Sequence, residues 1–164
     1  RSARAERLGE VFGTILVHLG GLHIPFEYGL EGDSDGDVLT HAILDSLLGA
    51  LCLGDMGSFF GIGTPDLIGI KSTLLFERLF NYTKSHQINF HIRHIDATLV
   101  AKNPPLLPYI QNIRQNLVSC MNLSQKNINI KATTDKGMDA AGSGKGIRAM
   151  AIATISLAQE AMNE

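Results

Sequence analysis

Tryptophan is missing altogether, and cysteine occurs only twice in 164 residues. Cys52 and Cys120 stand far apart without a paired-cysteine spacing, which excludes a disulfide scaffold or a zinc-ribbon framework. Set in apolar, helix-like stretches, they read as buried thiols of a reducing compartment. A cytoplasmic location is expected, or a plastid or similar organelle in a eukaryote. Charge of one sign is also lacking, since 14 Lys and Arg against 16 Asp and Glu leave a net charge of −2. With no basic field and no cationic cluster interleaved with aromatics, nucleic acid is excluded as a partner. No apolar run reaches the roughly 20 residues of a membrane span, because Asp45 interrupts the longest stretch between Val38 and Leu53. The basic start, Arg1 to Arg7, is followed by no hydrophobic signal core, so no membrane partner is expected.

What is present is enough apolar material for one packed domain over residues 1–164: 45% hydrophobic residues against 18% charged. Thr14 to Ile24 reads as short extended pieces broken at Gly20-Gly21, and Pro25, Gly29 and Gly32 mark a loop. From Asp37, the residues Val38, His41, Ala42, Asp45, Leu48, Gly49 and Cys52 recur at helical spacing to about Leu53. Asp55 to Gly69 is glycine-rich and predicts a surface loop. Ser72 is expected to cap a second helix carrying Leu75, Phe76, Leu79 and Phe80. Ile92 to Ala101 alternates as a strand, Pro104, Pro105 and Pro108 precede a third helix containing Ile110, Ile113, Leu117 and Met121, and Ile128 to Ala132 is a second strand. The glycines of Gly142-Ser143-Gly144-Lys145-Gly146 are expected to open an Ala-rich last helix from Ile147 to about Met162. This order predicts an α/β fold, a mixed sheet with helices layered on one face.

The run Asp33-Ser34-Asp35-Gly36-Asp37-Val38-Leu39-Thr40-His41 carries the densest chemistry. As a calcium loop it fails, because the required glycine falls at Val38 and the closing carboxylate at Leu44. Gly144-Lys145 fails as a phosphate loop, since Asp139 stands where the upstream glycine belongs and Gly146 follows the lysine. An anion site on free backbone N–H groups and a plain turn both remain open there. His91 and His94 lie on one predicted strand at positions that point to opposite faces, which argues against a shared metal. His41, one turn into a helix, can be a ligand or a hydrogen-bonded core imidazole.

Several segments together resemble the 2-C-methyl-D-erythritol 2,4-cyclodiphosphate synthase family: Gly20 to Glu27, Ser34 to Val38 with His41, Ala42 to Gly57, Pro104 with Leu107-Pro108 and Arg114, and Lys131 to Thr134 ahead of Gly142-x-Gly144-x-Gly146-Ile147. They run in the family's order from about Ile15 to the end. The resemblance implies a homotrimer with sheets around the threefold axis and a site between subunits. There a cytidine diphosphate-bearing substrate, 4-diphosphocytidyl-2-C-methyl-D-erythritol 2-phosphate, cyclises and releases CMP in non-mevalonate isoprenoid biosynthesis. It implies divalent metal (zinc, or magnesium or manganese), with His41 as a ligand. Thr134 takes the place of a transition-state threonine, and Asp33 that of a catalytic histidine. Ser34, Asp55, Met56, Gly57, Phe60, Ala101, Pro104, Leu107, Ala132, Thr133 and Lys136 fall on substrate-binding positions.

Departures from the pattern cluster on charged side chains. The family's Asp-x-His pair falls on Arg7 and Gly9, or on Arg4 and Glu6 if shifted, and its second metal carboxylate is Lys136. Its acidic loop is Gly61-Ile62-Gly63-Thr64, its glycine-turn arginine and glutamate are Ser143 and Lys145, a nearby phenylalanine is Ala140, and Pro105 replaces a lysine. Asp33 and Asp35 could serve beside His41 as hard oxygen ligands, which would favour magnesium or manganese over zinc. These exchanges imply an impaired lyase, or alternatively a non-catalytic trimeric homologue that binds a nucleotide or phosphate or acts as a structural subunit.

Overall fold

The computed structural model describes residues 2–6, 16–30 and 34–158. In chain order its elements are β1 (Ser2–Glu6), β2 (Leu16–Leu19), β3 (Leu22–Pro25), β4 (Gly29–Leu30), α1 (Val38–Ala50), α2 (Met56–Phe60), α3 (Leu74–Ser85), β5 (Phe90–Val100), α4 (Ile110–Met121), β6 (Ile128–Thr133), α5 (Asp139–Gly142) and β7 (Gly146–Leu157). Five strands make a mixed sheet in the order β4-β1-β7-β5-β6, while β2 and β3 form a separate hairpin. β5 and β6 pair in parallel, from Ile95 opposite Ile128 to Val100 opposite Thr133. A parallel pair requires a crossover, and α4 supplies it.

One face of the sheet meets the helices. On β5, Ile95, Ala97 and Leu99 are buried, and on β7 so is Ala149. Small residues there let α1 approach closely, and the core closes with Leu44, Leu47, Phe76, Leu79, Ile113 and Leu117. The opposite face of β7 stays open, with Met150 at 52% and Ile152 at 74% exposure.

The helix expected from Ile147 to Met162 is instead the strand β7, bonded to β1 on one side and β5 on the other within the described residues. Its alanines alternate with Met150, Ile152 and Thr154, so sheet pairing on both flanks overrides alanine's helical preference. Asp55 to Gly69, expected as a loop, contains α2. Cys52 and Cys120 are exposed, not buried. The expected opposition of His91 and His94 is also overturned: a bulge between Ile92 and His94 sets them opposite Ser156 and Thr154 of β7, residues of one face.

Candidate functional site

The turn into α1 is built on Asp37. Its carboxylate is fully buried and accepts the N–H groups of Gly20 and Gly21, at 2.9 and 2.7 Å, together with the Thr40 N–H and hydroxyl. The same side chain therefore caps the helix and clamps the β2–β3 turn, as a short acid at this position is suited to do. Gly20 and Gly21 adopt φ of +58° and +73° to present those amides. Asn116 of α4 closes the turn from the other side by donating to the Gly20 carbonyl.

Asp35 shapes the preceding loop. Its carboxylate accepts the Ser72 N–H at 3.0 Å and the Ser72 hydroxyl at 2.5 Å, and its own carbonyl accepts from His18 Nδ1. These bonds commit Asp35 to shaping the loop. Ser72 does not cap α3: the N-cap residue is Thr73, which makes no side-chain cap bond, and the Ser72 hydroxyl faces His41 Nε2 at 2.9 Å. Ser34 Oγ lies 3.1 Å from the same nitrogen. Spacing alone gave no sign of Ser72, because its partners are 31 and 37 positions away.

At the far end of α1, Asp45 accepts the Met56 N–H at 2.8 Å, and Asp55 caps α2 through a reciprocal bond pair with Ser58. Asp55, buried Met56, Gly57 and half-buried Phe60 thus share one short helix and its cap. Asp45 follows His41 by four residues on α1, about 6 Å of helix, and so links this group to the first.

A third group gathers where β5 and β6 end side by side. The Ala101 N–H donates to the Thr133 carbonyl at 3.0 Å, extending the ladder beyond Val100. Ala132, Thr133 and Thr134 are exposed at this edge, Pro104 is buried after a cis peptide, and Leu107 is 83% exposed. Lys136 stands on the following turn at φ +47°. Arg148 ties that turn down with both arms, Nη1 to Asp139 and Nη2 to Asp135, each at 2.5 Å. The Gly142 N–H, and then the Arg148 guanidinium, hold the Asp139 carboxyl below its ordinary range. A Cβ added at Gly144 would lie 3.5 Å from Lys102 Cδ.

Among the described residues no three His, Cys, Asp or Glu side chains converge as a metal-holding group. Those residues by themselves do not make a zinc centre, which needs at least three protein ligands. Asp33, Arg7 and Gly9 lie outside the described residues, and Arg4 and Glu6 are described only as backbone of β1. No helix among the described residues is long and apolar enough to cross a membrane.

Residues 10–156 match the model of the YgbB family. A 2-C-methyl-D-erythritol 2,4-cyclodiphosphate synthase from Lachnospira eligens is 42% identical over 138 residues, 84% of this chain and 74% of its own length. Among solved structures, a 2C-methyl-D-erythritol-2,4-cyclodiphosphate synthase in a CDP-bound form superposes with a TM-score of 0.80 at 26% identity, over 95% of this chain and 96% of that one. The bifunctional IspDF from Campylobacter jejuni gives a TM-score of 0.83 at 27% identity, over 97% of this chain, which spans only 41% of that protein. With the same fold, and this share of residues held in common from the hairpin to β7, the chain belongs to the YgbB family, that of the 2-C-methyl-D-erythritol 2,4-cyclodiphosphate synthases.

Proposed function

We propose that this chain is a cyclodiphosphate synthase that binds a cytidine diphosphate-bearing substrate at the ends of β5 and β6. The observation that carries the reading is the side-by-side ending of these two parallel strands, which leaves Ala132, Thr133 and Thr134 exposed beside buried Ala101 and the Pro104 turn. Strand ends of this kind leave backbone groups available for a nucleotide. A solved relative binds CDP. In the reaction, an oxygen of the 2-phosphate forms a bond to the β-phosphorus, and the bond from that phosphorus to the CMP oxygen breaks.

The protein's share of such a reaction is positioning and charge. The Thr134 hydroxyl donates to a phosphoryl oxygen, and the exposed Lys136 ammonium offsets phosphate charge as a point cation. Asp55, Met56 and Gly57 hold the polyol, with Phe60 beside them, and Ser34 faces the phosphate. A bound divalent ion would neutralise diphosphate charge, and His41 is the described side chain suited to hold it. Met150 and Ile152 on the open sheet face support a homotrimer with sheets around its axis.

A second reading, a homologue that binds nucleotide without turning it over, is favoured by the absence of a converging metal-ligand group among the described residues. CMP release from the diphosphocytidyl substrate, with zinc and magnesium added, separates the two. Turnover that falls at least about tenfold in Thr134→Ala supports the synthase. CDP binding by calorimetry with no CMP release establishes the second reading. Solution mass tests the trimer, and a monomer overturns it.

A further inference from the structure

The hydroxyl of Ser72 is fully buried, so its hydrogen bonds can be counted without solvent. A serine hydroxyl donates once and accepts twice. Its hydrogen goes to Asp35 Oδ1 at 2.5 Å, because the carboxylate can only accept. Both lone pairs of Ser72 Oγ then face His41 Nε2 at 2.9 Å and Ser34 Oγ at 3.3 Å. If Nε2 carried no hydrogen, two lone pairs would oppose each other at 2.9 Å in a buried position. A hydrogen on Nε2 instead makes a bond to Ser72, and the Ser34 hydroxyl supplies the second donor. Ser34 Oγ, 3.1 Å from the same nitrogen, can accept a share of that hydrogen while its own goes to Ser72.

We propose that Asp35 and Ser72 are positioning residues that keep a hydrogen on His41 Nε2. A relay of carboxylate, hydroxyl and imidazole fixes both ring rotation and proton position, as outer partners do for ligating histidines. Asp35 and Ser72 thereby act on His41 without touching the substrate. Any use of the ring toward a divalent ion rests on the reading of His41 given above, whereas the hydrogen on Nε2 does not depend on it.

The test is nitrogen NMR of histidine-labelled, metal-free full-length protein at about pH 8, where an ordinary imidazole is neutral. His41 is expected to show a protonated Nε2. An unprotonated Nε2 in the unaltered protein overturns the proposal, whatever the variants do. In Ser72→Ala the Nε2 resonance is expected to move toward its unprotonated position, while Ser34→Ala retains the Nε2–H signature. An unchanged Ser72→Ala spectrum in a protein that remains folded by circular dichroism removes Ser72 from its role. Zinc titration by calorimetry gives the separate readout: an affinity drop of about 10–100-fold in Ser72→Ala supports the relay. If the unaltered protein takes up neither zinc nor magnesium yet shows Nε2–H, the metal reading of His41 falls and the Nε2–H assignment stands.

Discussion

Asp37 accepts the amide of Gly20 at 2.9 Å, although 17 positions separate them in the chain. This bond joins the hairpin to the helix that carries His41. A buried acid so placed organises two elements at once.

Replacing Asp37 by alanine leaves the amides of Gly20, Gly21 and Thr40 without this acceptor. Loss of a helix cap together with buried unsatisfied donors is expected to cost about 3–5 kcal/mol, read as a lower midpoint in urea unfolding. A loss below about 1 kcal/mol would show that the clamp contributes little.

Much of this helix could be read in advance, because Val38, Ala42 and Leu48 recur with the period of a helix and Asp37 precedes them. β7 could not. Ala149, Ala151 and Ala153 are good helix formers, and their alternation with Met150, Ile152 and Thr154 acquires meaning only when β1 and β5 flank the segment. Ser72 was hidden for a related reason: a serine before a helix predicts a cap, whereas its actual partners, Asp35 and His41, are brought near only by the folded loop. Family resemblance pointed to Thr134 and Asp55, since it depends on local strings that the chain retains.

Gly20→Ala meets two obstacles. The backbone sits at φ +58°, and an added Cβ would lie 2.8 Å from Ile113 Cγ2 in the core. A cost of about 2–3 kcal/mol is expected from the left-handed conformation and the forced shift of Ile113. Gly63→Ala has no atom within 4 Å of its new Cβ and retains only the backbone strain. It should therefore cost clearly less in the same unfolding assay.

The turn carrying Lys136 should be acid-sensitive. The carboxyl of Asp139 is lowered from its ordinary 3.8 by the Gly142 amide and Arg148. A group lowered on folding contributes its full stability above its unfolded value and loses it as pH falls through the folded value. The loss therefore belongs below pH 3.8. Arg148→Met is expected to flatten the stability-against-pH curve in that range, measured by thermal unfolding at a series of acid pH values. An unchanged slope would detach Arg148 from the effect.

Cys120 should be a sluggish nucleophile despite its exposure. Burial of the sulfur first, and then the charge of Asp37, push its thiol above the ordinary 9.0, against a smaller opposing bond to Thr73. Since the thiolate reacts, alkylation by iodoacetamide at pH 8 is expected to be slower than for a free cysteine and to keep rising beyond pH 9. Peptide mass spectrometry of timed samples reads it directly. Rates equal to the free amino acid would refute the expectation.

Odd and even numbering does not tell the two sides of β5 apart, because the bulge at Arg93 resets the count midway along the strand. The residues before and after it obey opposite parities. Deleting Arg93 would remove the extra residue and leave the pairing as it is, with Ile92 opposite Ile155 directly before His94 opposite Thr154, so that Phe90, His91 and Ile92 keep their faces and a single parity runs through the strand. Arg93 is thus an inserted residue that the sheet absorbs without exchanging its two sides.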